Sequence, residues 1–505
     1  MGAWVLINGI WYKTLLGSAA VIMTMVGAQA ADLPSKKAAP ATYVKICDTY
    51  GAGFFFIPGT DTCVKLGGYT RYELQYTPAK AISAVTLTSQ SSQTVAVTQY
   101  ANTLDTYGTE YRGTIYVDAR TPTAMGVARS YIALRGTGTT GLRKSAPDYT
   151  AGTVPNVLSS TNADLTMERA FVQWAGFTMG LATSNYAMIP SMTYSANLWA
   201  GFPNGMRQLS YTAVLGGGFS ATVGLEEKQM WNNDAGSTSI GALDATNTIV
   251  ANIRLDQAWG FAAVHGTVGK ATYNNAAAGS TWTDSATTKF GPLAYAAGGT
   301  VTAGTNASPR SETVYAIGAT AMFNLDMIAK GDKIWLTANY ADGLTGALTA
   351  NPLGNPNATS SGGRTFGGVL RNDSNLVYLG TPTGGVAQYG TTTGWNVGAQ
   401  MLHYWAPQWR SVFTTAYVEL TPPNQVQDTK LAWGKGSVYE VRGSMIYSPV
   451  KDFDIGLELQ YLKNSSKLQN TANDTSTGAT AWKTNGYNGL SNSAFTSKVR
   501  VERSF

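Results

Sequence analysis

From Phe495 to the final Phe505 the chain alternates: Phe495, Ser497, Val499 and Val501 fall on one face of an extended strand, and Thr496, Lys498, Arg500 and Glu502 on the other. One face suits lipid and the other suits water. The same period-two pattern returns along the chain and predicts sixteen strands: 64–76, 109–120, 126–136, 164–174, 177–183, 207–215, 217–226, 248–256, 258–270, 312–323, 330–341, 394–404, 408–420, 438–447, 453–463 and 495–505. Short joints with turn residues, such as Ala175-Gly176 and the stretch around Pro449, alternate with long joints rich in Ser, Thr, Asn and Gly. Turns at one end and long loops at the other are the asymmetry of a sixteen-stranded antiparallel transmembrane β-barrel; a β-sandwich has no reason to sort its connections this way.

Several faces follow from the pattern. In 109–120, Tyr111, Gly113, Ile115, Val117 and Ala119 point outward, leaving Glu110, Arg112, Tyr116, Asp118 and Arg120 inside. Arg71, Glu73 and Gln75 share the inner face of the first strand. Near the end of the chain Val441, Met445, Tyr447, Phe453, Ile455, Leu457, Leu459 and Tyr461 face out, and Glu440, Arg442, Ser444, Glu458 and Gln460 face in. An Arg or Lys at mid-bilayer on the outer face costs about 2–4 kcal/mol, so register is strongly specified. For 408–420 the two assignments are equally good and stay open.

Composition narrows the class. Only 13% of residues are charged, against about 25% in soluble domains, while 44% are apolar and Tyr and Trp are abundant. No apolar run of about 18 residues follows Ala31, which excludes a helical membrane protein. Upstream, Lys13, an apolar run from Leu15 to Gly27 and Ala28-Gln29-Ala30 read as a signal peptide, residues 1–30, with the mature barrel over 31–505. The rival is an uncleaved anchor from Trp4 to Val26, which Asn8 and Lys13 interrupt. The net charge of +6 is spread rather than clustered, so nucleic-acid binding is not indicated. Cys47 and Cys63, in an exported chain, read as a disulfide that ties a periplasmic segment, 31–63, to the first strand. Closing that ~17-residue loop is worth about 3 kcal/mol. Its effect on conduction is expected to be small. A metal site lacks partners, since His265 and His403 are the only histidines and both are remote in sequence. No cofactor is implied.

Catalysis finds little support. A hydrolase site needs a nucleophile, a base and an orienting group; no Ser-His-acid arrangement is legible around His265, and His403 beside Tyr404 and Trp405 reads as an interface residue. The inner-face candidates are instead charges. Arg71, Arg112, Arg120, Arg129, Arg169, Arg442, Lys498 and Arg500 outnumber Glu73, Glu110, Asp118, Glu440, Glu458 and Glu502. This implies either a weak lean toward anions that salt screens, or cross-strand pairing that cancels it. A substrate-selective channel for sugars or an anion is the alternative to a general one, with Tyr116, Tyr131 and Phe171 as candidate sugar contacts.

Four stretches carry a resemblance: YVKICDTYGAGFFFIPGTDTCVKLGGYTR at 43–71, RAFVQWAGFTMG at 169–180, EVRGSMIYSPVKDFDIGLELQ at 440–460 and the ending VRVERSF. Together they closely resemble the alphaproteobacterial porin family often called porin type 2. The resemblance implies a homotrimeric barrel in the outer membrane, among its lipid and lipopolysaccharide. It implies passive diffusion of small hydrophilic solutes and ions, and a third external loop, here 184–206, folded into the lumen. Many general porins carry acids on that loop. Here 184–206 has no Asp, Glu, Lys or Arg, which argues against a strong cation preference.

The resemblance also implies that Phe505 is a strand-end signal read by the barrel-assembly machinery. Deleting Phe505 is expected to deplete folded, heat-resistant protein from the outer membrane several-fold, as read on unheated gels of membrane fractions. Normal levels would refute that role, and a residue that merely anchors at the interface predicts a milder loss.

Overall fold

A computed structural model describes residues 45–78, 85–88, 94–97, 106–141, 164–195, 205–227, 247–273, 281–283, 300–302, 310–349, 376–380, 388–421, 432–469 and 489–505. The chain divides into two compact units, Met1–Lys45 and Ile46–Phe505. The leader expected over 1–30 lies outside the described residues. Ile46–Phe505 is built on one antiparallel sheet whose strands are β1 (Cys63–Tyr76), β2 (Tyr107–Thr123), β3 (Gly126–Gly141), β4 (Asp164–Trp174), β5 (Phe177–Thr183), β6 (Gly205–Gly216), β7 (Phe219–Glu227), β8 (Asn247–Gln257), β9 (Gly260–Tyr273), β10 (Arg310–Asn324), β11 (Lys333–Asp342), β12 (Thr393–Ala406), β13 (Trp409–Thr421), β14 (Ala432–Val450), β15 (Phe453–Gln469) and β16 (Gly489–Ser504). Each pairs with its sequence neighbours, and β16 pairs back onto β1 from Tyr69↔Ser504 to Tyr76↔Ser497, so the sheet closes. All the strands expected from the alternation are present. Small hairpins, such as Val85–Thr88 with Thr94–Val97, lie within the long connections.

The alternation that predicts the strands also sorts their faces. In β2, Glu110, Thr114 and Asp118 are at most 5% exposed, while Tyr111 and Ile115 between them are 40% and 56% exposed. In β16, Thr496, Lys498 and Arg500 are buried and Phe495 and Val499 face out. Large apolar side chains thus ring the outside and polar ones fill the inside, the inverse of a water-soluble domain and the pattern of a barrel in lipid. No helix among the described residues is long and apolar enough to cross a membrane.

Two features depart from the pattern. In β13, left open by the sequence, Val412, Ala416, Val418 and Leu420 point inward and are at most 2% exposed, with Phe413 outward. The inner face is apolar here because Tyr186, Leu344 and Leu348 pack against it from two long connections. In addition, β14, β15 and β16 run on toward the long-loop end beyond 438–447, 453–463 and 495–505. Past the lipid layer nothing demands an apolar outer face, so alternation fades while backbone pairing continues.

The seam between the first and last strands is the barrel's most elaborate joint. Phe505 and Gly68 exchange backbone hydrogen bonds of 3.0 and 3.1 Å. Beyond Gly68, β1 overhangs the end of β16, and its free edge is taken by the short strand Phe55–Phe56, which pairs Phe55 with Val64 and Phe56 with Cys63. The Cys47–Cys63 disulfide, Cα to Cα 6.1 Å, locks this knot, and Phe54 is buried against both cysteines. Arg120, on the inner face of β2, stacks on Phe54 at 4.9 Å and on Tyr50 at 5.7 Å. Replacing both cysteines by Ala is expected to lower stability by about 3 kcal/mol, read as the urea midpoint of the barrel refolded in lipid. Two titratable thiols in the unfolded, unreduced protein would disprove the bond.

Candidate functional site

The inner wall is a lattice of ion pairs. Arg71 Nε lies 2.6 Å from Glu502 Oε2 and Arg500 Nε donates to Glu73 Oε1 at 2.6 Å, so the β1–β16 seam is bridged twice by charge. Asp118 accepts from Arg120 Nη2 (2.8 Å) and Arg129 Nε (2.9 Å), and Arg129 also donates to Gln173 at 3.0 Å. Arg112 Nη2 lies 2.9 Å from Glu110 Oε1, and Arg442 Nη2 2.8 Å from Glu440 Oε1, with Glu458 3.9 Å from Arg442 Nε. Lys498 is buried on the same face. Arg169 donates through Nη1 to the carbonyl of Glu168 at 2.6 Å. Every charged candidate read from the sequence therefore stands on the inner face. The pairing reduces the excess of positive charge that a bare count suggests.

Several ion pairs escaped the sequence, among them Arg410 with Asp454 and Arg135 with Glu168. The β3–β4 ladder shifts register between Ala133 and Leu134, so Ala133 faces Arg169 and Leu134 faces Met167, leaving Glu168 as the extra residue. The bulge brings Glu168 within 3.0 Å of Arg135. Strict alternation places Glu168 and Arg169 on opposite faces, which hides this contact.

Residues 184–195, which follow β5, bond to side chains of strand after strand. Ser184 Oγ and Asn185 N donate to the two oxygens of Glu226 on β7 at 2.6 and 2.7 Å, and Asn252 of β8 donates to the carbonyl of Asn185 at 2.9 Å. Tyr186 donates to Asn339 of β11 at 3.1 Å and packs its ring edge-on to His265 of β9 at 4.5 Å. Gln400 of β12 donates to the carbonyl of Pro190 at 3.1 Å. At the far end, Arg442 of β14 donates to Thr193 Oγ1 and to the carbonyl of Ser195, both at 2.7 Å. Tyr194 N–H donates to Glu458 of β15 at 2.6 Å, and its carbonyl accepts from Arg500 of β16 at 2.9 Å. The Arg500 guanidinium lies 4.0 Å over the Tyr194 ring. The phenol occupies the notch above Gly456, where a Cβ would come within 1.7 Å of its oxygen. No charged residue in 184–195 announces these contacts. They depend on backbone groups and on the charged wall beneath.

The candidate sugar contacts form a row. Tyr116 and Tyr131 stack at 5.8 Å, Tyr131 and Phe171 at 5.2 Å, with planes within about 20° of parallel. Tyr116 lies against Gly67, and Arg129 sits over Tyr131 and Phe171 at 5.1 and 5.3 Å. His265 Nε2 is 3.1 Å from Thr320 Oγ1, and His403, expected to be a plain interface residue, places Nδ1 2.6 Å from the buried Asp332, which also accepts from Tyr404 N–H. Among the described residues no group of His, Cys, Asp and Glu is placed to hold a metal ion.

Comparison with known proteins agrees with this architecture. The chain is 29% identical over 231 residues to porin Omp2b of Brucella suis biovar 1 and 32% identical over 230 residues to that of Brucella canis; each match covers 44% of this chain and 55% of the relative. It thus spans about half the length of these curated relatives. Among solved structures, the outer membrane channel DcaP of Acinetobacter baumannii aligns over 89% of this chain and 99% of its own, with a TM-score of 0.50 and 15% identity, a likeness of fold. The porin subfamily profile matches residues 32–490, nearly the whole barrel, and on that match the chain belongs to the porin subfamily, as a β-barrel of the Gram-negative outer membrane.

Proposed function

We propose that this barrel is a water-filled channel for the passive diffusion of small hydrophilic solutes and ions, exported by the leader over 1–30 and working as a homotrimer among outer-membrane lipid and lipopolysaccharide. The observation that carries the reading is the closed sheet with charge on its inner face and apolar side chains outside. The Brucella relatives, named as porins, support it, and so does family membership. In this reading residues 184–206 are the third external loop, folded inward as the constriction. The bonds from 184–195 to β7, β8, β11, β12 and β14–β16 are what support that placement. The short turns are periplasmic, the Cys47–Cys63 knot lies at that mouth, and Phe505 is the strand-end signal.

Selectivity in such a pore follows from which charges meet water. Arg442 and Arg500, held beneath the loop, have side chains 0% and 10% exposed, whereas Arg112, Arg120, Arg129 and Arg135 are 17–28% exposed. The solute path therefore runs along β2–β4. Because most of these cations have carboxylate partners, discrimination is weak, with a lean toward anions that fades as salt shortens the Debye length to about 10 Å at 0.1 M. Selective sugar transport is the weaker alternative, since the rings of the aromatic row stack on one another and Arg129 lies over two of them.

Reconstitution in planar bilayers tests the reading. Stable ohmic steps with a small anion-directed reversal potential in asymmetric dilute salt are expected. A folded barrel that passes no current, or one with marked cation preference, would contradict it. Gly456→Val, which fills the notch under Tyr194, and Arg442→Gln, which frees Thr193 and Ser195, should each give larger and noisier steps. The second also strands Glu440 and Glu458, a loss of about 3–5 kcal/mol if both stay charged, so its urea midpoint should fall further than that of the first.

A further inference from the structure

On the inner wall of β2 and β3, four polar atoms are shielded from solvent and have no hydrogen-bond partner: Nε of Arg112, Nε of Arg135, and Oγ1 of Thr114 and Thr137. Register gathers them into one patch. Arg112 faces Thr137 and Thr114 faces Arg135 across the ladder. Opposed side chains on one face stand about 4.5–5.5 Å apart at Cβ, and diagonal ones about 7–8 Å. The two guanidiniums meet their carboxylates through terminal nitrogens, Arg112 Nη2 to Glu110 and Arg135 Nη1 to Glu168, which leaves both Nε–H groups over. A buried polar group without a partner is costly, so four in one patch mark a place that receives an occupant.

The surrounding charge says what kind. Arg71 of β1 stands directly across from Arg112, a like-charge opposition that weakens a ladder by itself. Two positions further along β3, Ala133 faces Arg169, whose guanidinium is bonded to a backbone carbonyl rather than to a carboxylate. The acids nearby are Glu73, Glu110, Glu168 and Glu502, each already beside an arginine, and Asp164, opposite Thr137 in the ladder. Two guanidinium nitrogens that can only donate, with two hydroxyls that can, suit a ligand with several acceptor oxygens and negative charge.

We propose that Arg112, Arg135, Thr114 and Thr137 form an oxyanion-binding step on the channel wall, taking inorganic phosphate or the phosphate, sulfate or carboxylate group of a small solute. The side chains of the two arginines are 17% and 28% exposed, while their Nε atoms are shielded from solvent. An arriving anion turns them aside and accepts from Nε–H and a neighbouring terminal nitrogen as one fork, with the threonine hydroxyls completing its shell. Access by way of the lumen rests on the channel reading above; the site itself does not.

Inorganic phosphate is the probe, with sulfate and acetate arms to separate tetrahedral from planar oxyanions. Added at millimolar concentration to the chain in planar bilayers, phosphate should reduce the chloride current saturably, and titration of the detergent-folded barrel should give a calorimetric isotherm. Arg112→Gln with Arg135→Gln should weaken both effects at least tenfold. Thr114→Val with Thr137→Val, which removes the hydroxyls and leaves every charge in place, should weaken them several-fold; each variant is checked for heat-resistant migration. A conducting channel with neither block nor heat of binding overturns the proposal, as does block that survives both double variants, which would mean that water fills the patch. A folded barrel that binds phosphate but passes no current would uphold the site and remove the channel reading instead.

Discussion

Hydrocarbon offers no partner to a backbone N–H or C=O, so a sheet can cross it only when every strand has a neighbour on both sides. That requirement is discharged at one place, the contact between β1 and β16. Its ladder joins residues more than four hundred positions apart, and it is reinforced by the Arg71–Glu502 and Arg500–Glu73 pairs on the inner side and by the Phe505–Gly68 exchange at its end. Once the sheet is closed, its two faces see different solvents and the side chains sort accordingly.

Closure also creates an interior that must be furnished. From β7 to β16, residues 184–195 and 343–349 meet the strands both through apolar packing, Tyr186 with Leu344, Leu348 and Val418, and through bonds to buried charges such as Arg442. A neutral segment can sit on a charged wall because its backbone carbonyls and N–H groups are the ligands of Arg442, Arg500 and Glu458. The arc from β2 to β4 is dressed differently, by arginines that share three carboxylates and by an aromatic row under Arg129. The barrel is thereby two-sided. One side holds buried charge and the other keeps partly exposed cations.

Much of this was legible in the sequence wherever lipid enforces the pattern. The outer residues of β2, Tyr111, Ile115 and Val117, could be named because any polar residue there is costly, and their partners Glu110, Arg112 and Asp118 followed by parity. Reading failed where a second influence acts. In β13 both faces are apolar because one meets lipid and the other meets Leu344 and Leu348, contacts made by residues distant in sequence. At Glu168 a bulge breaks parity, so the Arg135 pair could not be counted. Tyr194 carries no signal at all, since what distinguishes it is the absence of a side chain at Gly456, on another strand.

The knot at the start of β1 bears on how the last strand finds its place. A sheared barrel leaves part of its first strand unmatched, and an unmatched edge is an invitation to slide: β16 could advance along it, carrying its whole ladder of pairs into a frame that is locally just as well bonded. Phe55 and Phe56 already hold that ground. A strand displaced in that direction runs into them, and the covalent tie from Cys47 to Cys63 keeps them from yielding. The knot is in this sense a doorstop, a short tethered piece of chain that bars the slipped closures which backbone pairing alone would still allow.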